Sequence, residues 1–184
     1  MVDVTSVEWP IAQLGPIERM FVLSKALPGS AYAVRRTDLP LEAVWTYIED
    51  LERAIPSLDA AVGTFEIIDR VDDQITARVT ASALSRVGFV FDVRLEPGWC
   101  LMTSRGGLYA VGFAADSDGE STRVAHLEAV CIPAPRWARR AVAAVLRTLS
   151  YLLRHHVASD LRGLMRGLAD TPPSTEAGGT GQGS

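Results

Sequence analysis

A histidine and a glutamate stand two residues apart in the segment Ser121-Thr-Arg-Val-Ala-His126-Leu-Glu128-Ala-Val-Cys-Ile132. In a strand, that spacing puts both side chains on one face. A carboxylate beside an imidazole favours its protonated form, so an inward pair could do acid–base work near neutral pH. His126 and Glu128 are therefore the catalytic candidates. The opposite face of the same segment holds Ala125, Leu127, Ala129 and Cys131 and is wholly apolar. Hydropathy alone would send that face inward and leave His126 and Glu128 in water. Both demands are met only if another element, an N-terminal helix or a second subunit, covers the outer face.

Other chemistry-bearing residues are sparser. Arg78 shares a strand face with Thr80 and Ser82. Inside a cavity its guanidinium would pair with a ligand carboxylate or enolate. The competing reading is a solvated face, because Ile75, Ala77, Val79 and Ala81 form the apolar side. His156 and Asp160 have the i, i+4 spacing that can bring two metal ligands together on a helix. No third ligand follows from the sequence, so no metal is predicted, and His155 and His156 are read as surface residues. Cys100 and Cys131 lack CxxC spacing and read as buried free thiols. There is no HExxH, P-loop, dinucleotide fingerprint or GxSxG elbow, and the sequence calls for no cofactor.

The elements that must position these residues follow from periodicity. Residues 30–37 read as a strand. Asp38 is placed to cap a helix carrying Leu41, Val44, Trp45 and Ile48, and a second helix over 50–55 ends before Pro56. Strands follow over 64–71 and 74–83, joined at Asp72-Asp73. Residues 87–96 alternate, with Phe89, Phe91, Val93 and Leu95 on one face. Further strands are predicted over 99–105, 108–116 and 121–132, with turns at Gly106-Gly107 and Asp116–Gly119. Pro133 and Pro135 then break the chain before a helix over 135–168. That helix would be on the order of 50 Å long. This exceeds what the domain needs, so its last turns are expected to kink at Gly163 or to project. Before residue 30, a short helix after Gly15-Pro16 is expected to cover an apolar patch of the main domain. The organisation predicted is an N-terminal extension over 1–29, a domain over 30–169 and a disordered, low-complexity tail over 170–184.

The 184 residues are 48% hydrophobic, enough for one domain with a real core. The net charge of −4 argues against a nucleic-acid partner at whole-chain level. Segment 136–170 nevertheless carries +5 and the remainder −9. The Arg face of the long helix could meet anionic lipid headgroups, but it reads first as a solvated face. No signal-like or membrane-spanning run is visible, which makes the cytoplasm the expected location.

The order strand, two helices, a block of strands and one long helix resembles the START-like helix-grip superfamily, including its bacterial polyketide cyclase/dehydrase or SRPBCC members. Leu41 to Asp50 resembles the family's first helix, and Ile55-Pro56 its following turn. Asp118-Gly119 to Val124 resembles the turn into its last strand, and Ile132-Pro133 the exit before its C-terminal helix. The match spans about residues 30–168. It implies an α+β fold with an antiparallel sheet of six or seven strands gripping the last helix. It also implies a cavity for a small hydrophobic molecule such as a lipid, polyketide or aromatic metabolite. Phe89, Phe91, Val93, Leu95, Met102, Tyr109, Phe113, Arg78, Leu149 and Leu153 are the candidate ligand-binding residues. The alternatives are an aromatase/cyclase-type enzyme using His126 and Glu128, and an interaction module forming a homodimer. Two family positions that usually hold a Trp and another aromatic are Gly112 and Ala114 here, which is expected to widen the cavity.

Overall fold

The computed structural model describes residues 13–27, 29–82, 84–132 and 134–170. Its elements run α1 (Pro16–Ala26), β1 (Ser30–Thr37), α2 (Leu41–Glu49), α3 (Leu51–Leu58) and β2 (Val62–Val71). They continue with β3 (Gln74–Ala81), β4 (Leu84–Glu96), β5 (Trp99–Ser104), β6 (Tyr109–Asp118), β7 (Ser121–Val130) and α4 (Arg139–Asp170). The seven strands form one sheet in the order β1-β7-β6-β5-β4-β3-β2, and every neighbouring pair is antiparallel. Chain order is kept from β2 to β7, and β1 closes the row beside β7. The first and last strands are thus paired, which brings β7 under the helix that follows it.

The sheet has two differently covered faces. Its concave face carries Phe65, Ile75, Ala77, Phe91, Val93 and Met102, packed against Val44, Ile48, Leu51 and Ile55 of α2 and α3 and Leu161, Leu164 and Leu168 of α4. On the convex face, Ile17 and Met20 of α1 pack with Trp99, Ala114, Ala125 and Leu127. Strand β7 is therefore buried on both sides, and its burial runs unbroken from Val124 to Ala129.

The convex patch explains Gly112 and Ala114. Both point away from the cavity, so they do not widen it. A Cβ on Gly112 would lie 2.7 Å from Met20 Cε and Sδ, and Ala114 is fully buried beneath the same helix. An aromatic side chain at either place would occupy the volume that α1 fills. Ion pairs edge the contact: Arg19 Nη1 reaches Glu96 Oε2 at 2.7 Å, and Arg123 links Asp116 (2.7 Å) to Glu18 (3.3 Å). The Arg19 guanidinium also lies 4.1 Å from the ring centre of Trp99, a cation–π distance.

Several local expectations are corrected. Asp38 does not cap α2, whose N-cap is Pro40 with no side-chain bond. Instead Leu39 N donates to Thr37 Oγ1. Helix α3 runs through Pro56 to Leu58. A proline there removes one intrahelical bond, and burial of Leu51, Ala54, Ile55 and Leu58 along one face carries the helix past it. Strand β6 extends to Asp118, moving the turn to Gly119, where φ is 69°.

Helix α4 is continuous from Arg139 to Asp170, and its last turns are the packed ones, not the projecting ones. Leu161, Leu164 and Leu168 are buried, whereas the first half packs along Leu146 and Ser150 and leaves Val145 (58%) and Tyr151 (62%) exposed. Residues 1–12 of the expected 1–29 extension and residues 171–184 of the expected tail lie outside the described residues.

Candidate functional site

Between the concave sheet face and the α3–α4 side lies a cavity of about 60 Å³. Phe91, Met102, Val111, Phe113 and Leu58 contribute apolar wall, and Tyr109, His126, Glu128 and Asp160 bring polar groups together. Alternation along β7 places Val124, His126 and Glu128 on the cavity side, opposite Ala125 and Leu127 under α1. The conflict between hydropathy and catalytic phase is resolved by α1, which buries the apolar face on the outside of the sheet.

His126 is held firmly. Its Nδ1–H donates to the carbonyl of Gly112 on β6 at 3.1 Å, which directs Nε2 at the carboxylates. Phe113 stacks on the ring with centroids 4.4 Å apart and planes 9° from parallel. Nε2 lies 3.3 Å from Glu128 Oε1 and 3.8 Å from Asp160 Oδ2. His156, at the rim and 40% exposed, places its Nε2 3.5 Å from Glu128 Oε1 and 3.3 Å from Asp160 Oδ2. Both carboxylates therefore stand between two imidazoles.

The electrostatics follow from burial against pairing. Burial alone lowers the pKa of His126, but the facing carboxylates of Asp160 and Glu128 outweigh it and raise the pKa to about 9. Burial pulls the Glu128 carboxyl up, yet the His126 contact and charge bring it below its ordinary value. The Tyr109 hydroxyl is pushed well up, first by burial and then by the charge of Glu128. On the same concave face, burial pushes the Cys100 thiol up to about 12.

The other candidates divide. Phe91, Met102, Tyr109 and Phe113 line the cavity. Val93 and Leu95 share the strand face of Phe91 and are buried in the surrounding core. Phe89, in phase with them, is 52% exposed on the part of β4 that extends beyond its pairing with β5, which begins at Phe91. Arg78 is on the convex side, paired with Glu66 at 3.2 Å, because its neighbours Ala77 and Val79 take the inward positions. Leu149 is 37% exposed on the first half of α4, and neither it nor Leu153 reaches the cavity. The convergence of Asp160 and His156 on His126 and Glu128 is not among the sequence expectations. Its signals are present as two separate spacings, one on a strand and one on a helix. Only the pairing of β1 with β7 under α4 joins them.

No family model and no curated protein matches the chain. Solved structures do. A protein from Thermus thermophilus is 22% identical, covering 77% of this chain and 99% of its own, with a TM-score of 0.54. The Zhui aromatase/cyclase from a Streptomyces species is 12% identical, with 76% and 93% covered and a TM-score of 0.56. A START superfamily protein from Mycobacterium smegmatis is 17% identical, with 76% and 98% covered and a TM-score of 0.52. The chain has the START-like helix-grip fold. Among the described residues, no helix is long and apolar enough to cross a membrane.

Proposed function

We propose that the chain binds a small, mainly apolar molecule carrying one polar group, in the cavity between the sheet and α4. The observation that carries this reading is the division of the cavity wall. Aromatic and aliphatic side chains make most of it, and the polar groups of Tyr109, His126, Glu128 and Asp160 are gathered in one place. Such a site gains affinity from apolar burial, at roughly 25 cal/mol per Å², and orientation from a few polar groups. The polar end is rich in acceptors, because two carboxylates face it. It suits a ligand hydroxyl or amine better than a ligand carboxylate.

Size narrows the class. At about 60 Å³, the cavity is smaller than the roughly 150 Å³ that accepts benzene in an apolar core, and far below the roughly 300–1,000 Å³ of drug-sized sites. A single-ring compound requires a modest rearrangement, for which Met102 is suited because its unbranched side chain repacks readily. A poly-β-keto chain would require α4 to separate from the sheet. Volume therefore favours a compact ligand over the aromatase/cyclase alternative, although His126 faces inward as that alternative demands. The likeness to the Streptomyces aromatase/cyclase supports a cavity of this architecture and does not choose the substrate.

The test is calorimetric titration with neutral single-ring phenols and with matched benzoates. The phenols are expected to bind and the benzoates to bind more weakly. Val111→Trp, which fills the cavity from β6, is expected to abolish phenol binding. Equal binding by this variant and the parent protein, or no phenol binding at all, would overturn the proposal.

A further inference from the structure

His126, Glu128 and Asp160 of the polar end, with His156 beside them, make an arrangement that ligand binding does not require. His126, Glu128 and Asp160 are each more than nine-tenths buried, and each offers a ligand atom within 4.8 Å of the other two. His126 Nε2, Glu128 Oε2 and Asp160 Oδ2 are buried without a hydrogen-bond partner. An isolated orphan of this kind is costly, and three in one buried cluster are an anomaly. Two carboxylates are buried against a single buried imidazole, so a bound cation would balance charge that His126 alone does not.

We propose that His126, Glu128, His156 and Asp160 bind one divalent transition-metal ion of the zinc type. The donor separations, taken in a ring from His126 to Glu128 to His156 to Asp160 and back, are 3.3, 3.5, 3.3 and 3.8 Å. A tetrahedral ion with bonds of about 2.0–2.1 Å holds its ligands roughly 3.3–3.4 Å apart. His126, Glu128 and Asp160 already hold their ligand atoms within 4.8 Å of one another, and the half-exposed His156 completes the tetrahedron by a side-chain rotation towards them. Imidazole and carboxylate donors suit zinc, cobalt, iron or manganese, and the absence of a thiolate from the cluster argues against a copper(I) site.

The surroundings fit the same reading. His126 donates its other ring nitrogen to the Gly112 carbonyl, the backbone contact that fixes the tautomer and orientation of a ligating histidine. With the His126 Nε2 proton released on binding, two neutral imidazoles, two carboxylates and one dication sum to zero charge, the form a low-dielectric site tolerates. His156 stands half-exposed at the rim and supplies the path by which an ion enters. Metal binding would fasten α4 to β7, with two ligands from each element. This inference does not rest on the ligand-binding proposal and can fail without it.

The test uses the full chain, stripped with a chelator and titrated with Co²⁺ and then Zn²⁺. The expected result is one equivalent of Co²⁺, with the intense visible absorption of a four-coordinate ion, displaced by one equivalent of Zn²⁺. Two conservative variants guard against misfolding. His156→Ala removes a rim residue, and Asp160→Asn keeps the side-chain volume. Each is expected to weaken Co²⁺ binding by at least the roughly 10–100-fold that follows loss of outer-shell partners at metal sites, with the circular dichroism of the parent. Absence of stoichiometric Co²⁺ binding, six-coordinate absorption, or unchanged affinity in both variants would overturn the proposal.

Discussion

His126 of β7 and Asp160 of α4 face each other across the seam between sheet and helix, with Nε2 3.8 Å from Oδ2 and both side chains buried. Glu128 shares the same seam. Removing the imidazole leaves two carboxylates in the core without it. His126→Ala is expected to cost about 3–5 kcal/mol, the range for breaking a buried charge cluster. The triple change His126→Leu, Glu128→Leu, Asp160→Leu is expected to recover most of that loss, because no unpaired charge is left. Denaturant unfolding of the two variants measures the difference. A single change costing under about 1 kcal/mol would show that the cluster is not an interdependent unit.

Helix α1 occupies space that small residues leave open. Ala114→Trp is expected to displace α1 from the convex face while the concave core persists. Hydrogen exchange should then show faster exchange over residues 16–26 and little change in β3 and β4. Met20→Ala, at a fully buried position, is expected to cost about 2–5 kcal/mol for the lost packing. Unchanged exchange in α1 of the Trp variant would mean that Gly112 and Ala114 do not make room for the helix.

The Arg19–Glu96 pair gives α1 docking a pH dependence. Hydrogen bonding with Arg19 leads the lowering of the Glu96 pKa, against partial burial and with added help from Arg94. A carboxylate with a depressed folded pKa contributes stability that is complete above its unfolded value, about 4.3, and is lost as pH falls through the folded value. Both side chains are partly exposed, so the effect is expected at roughly 0.2–1 kcal/mol. Glu96→Gln should lower the melting temperature at neutral pH and flatten its dependence on acidification. A variant curve parallel to that of the parent down to acid pH would remove this pair from the account of docking.

The two thiols should react differently. Cys100 is fully buried with its pKa pushed up to about 12, whereas Cys131 is half-buried with its pKa raised by burial to a lesser degree. Thiolate is the reactive form, so a disulfide reagent at mildly alkaline pH is expected to label Cys131 first and Cys100 only on unfolding. Equal labelling rates in the folded protein would contradict the packing described for β5.

The strand block, its alternation and the final helix were legible because each rests on a local period. Phe91, Val93 and Leu95 fall on the concave face as their spacing demands. The phase of β7 was not legible from its own residues, because both of its faces are buried and each face supports a different prediction. What decided it was α1, a segment more than ninety residues earlier in the chain. The same covering helix puts Gly112 and Ala114 on the convex side, opposite to the cavity-widening role their family positions imply. The role of Asp160 was hidden because its partners lie on another element. An i, i+4 pair on a helix becomes a four-residue cluster only when the last strand is seated beneath that helix. The length of helix α4 is countable from its period, but that its last turns pack rather than project depends on where the sheet and α3 lie.

The most direct measurement is native mass spectrometry of the protein purified from its own host, followed by denaturation and small-molecule analysis of what is released. Binding of a compact ligand in the cavity predicts one stoichiometric organic passenger, of single-ring size and bearing a hydroxyl or amine, that is absent from Val111→Trp. A protein recovered without a passenger and as a clean dimer, or a passenger retained by Val111→Trp, would contradict it.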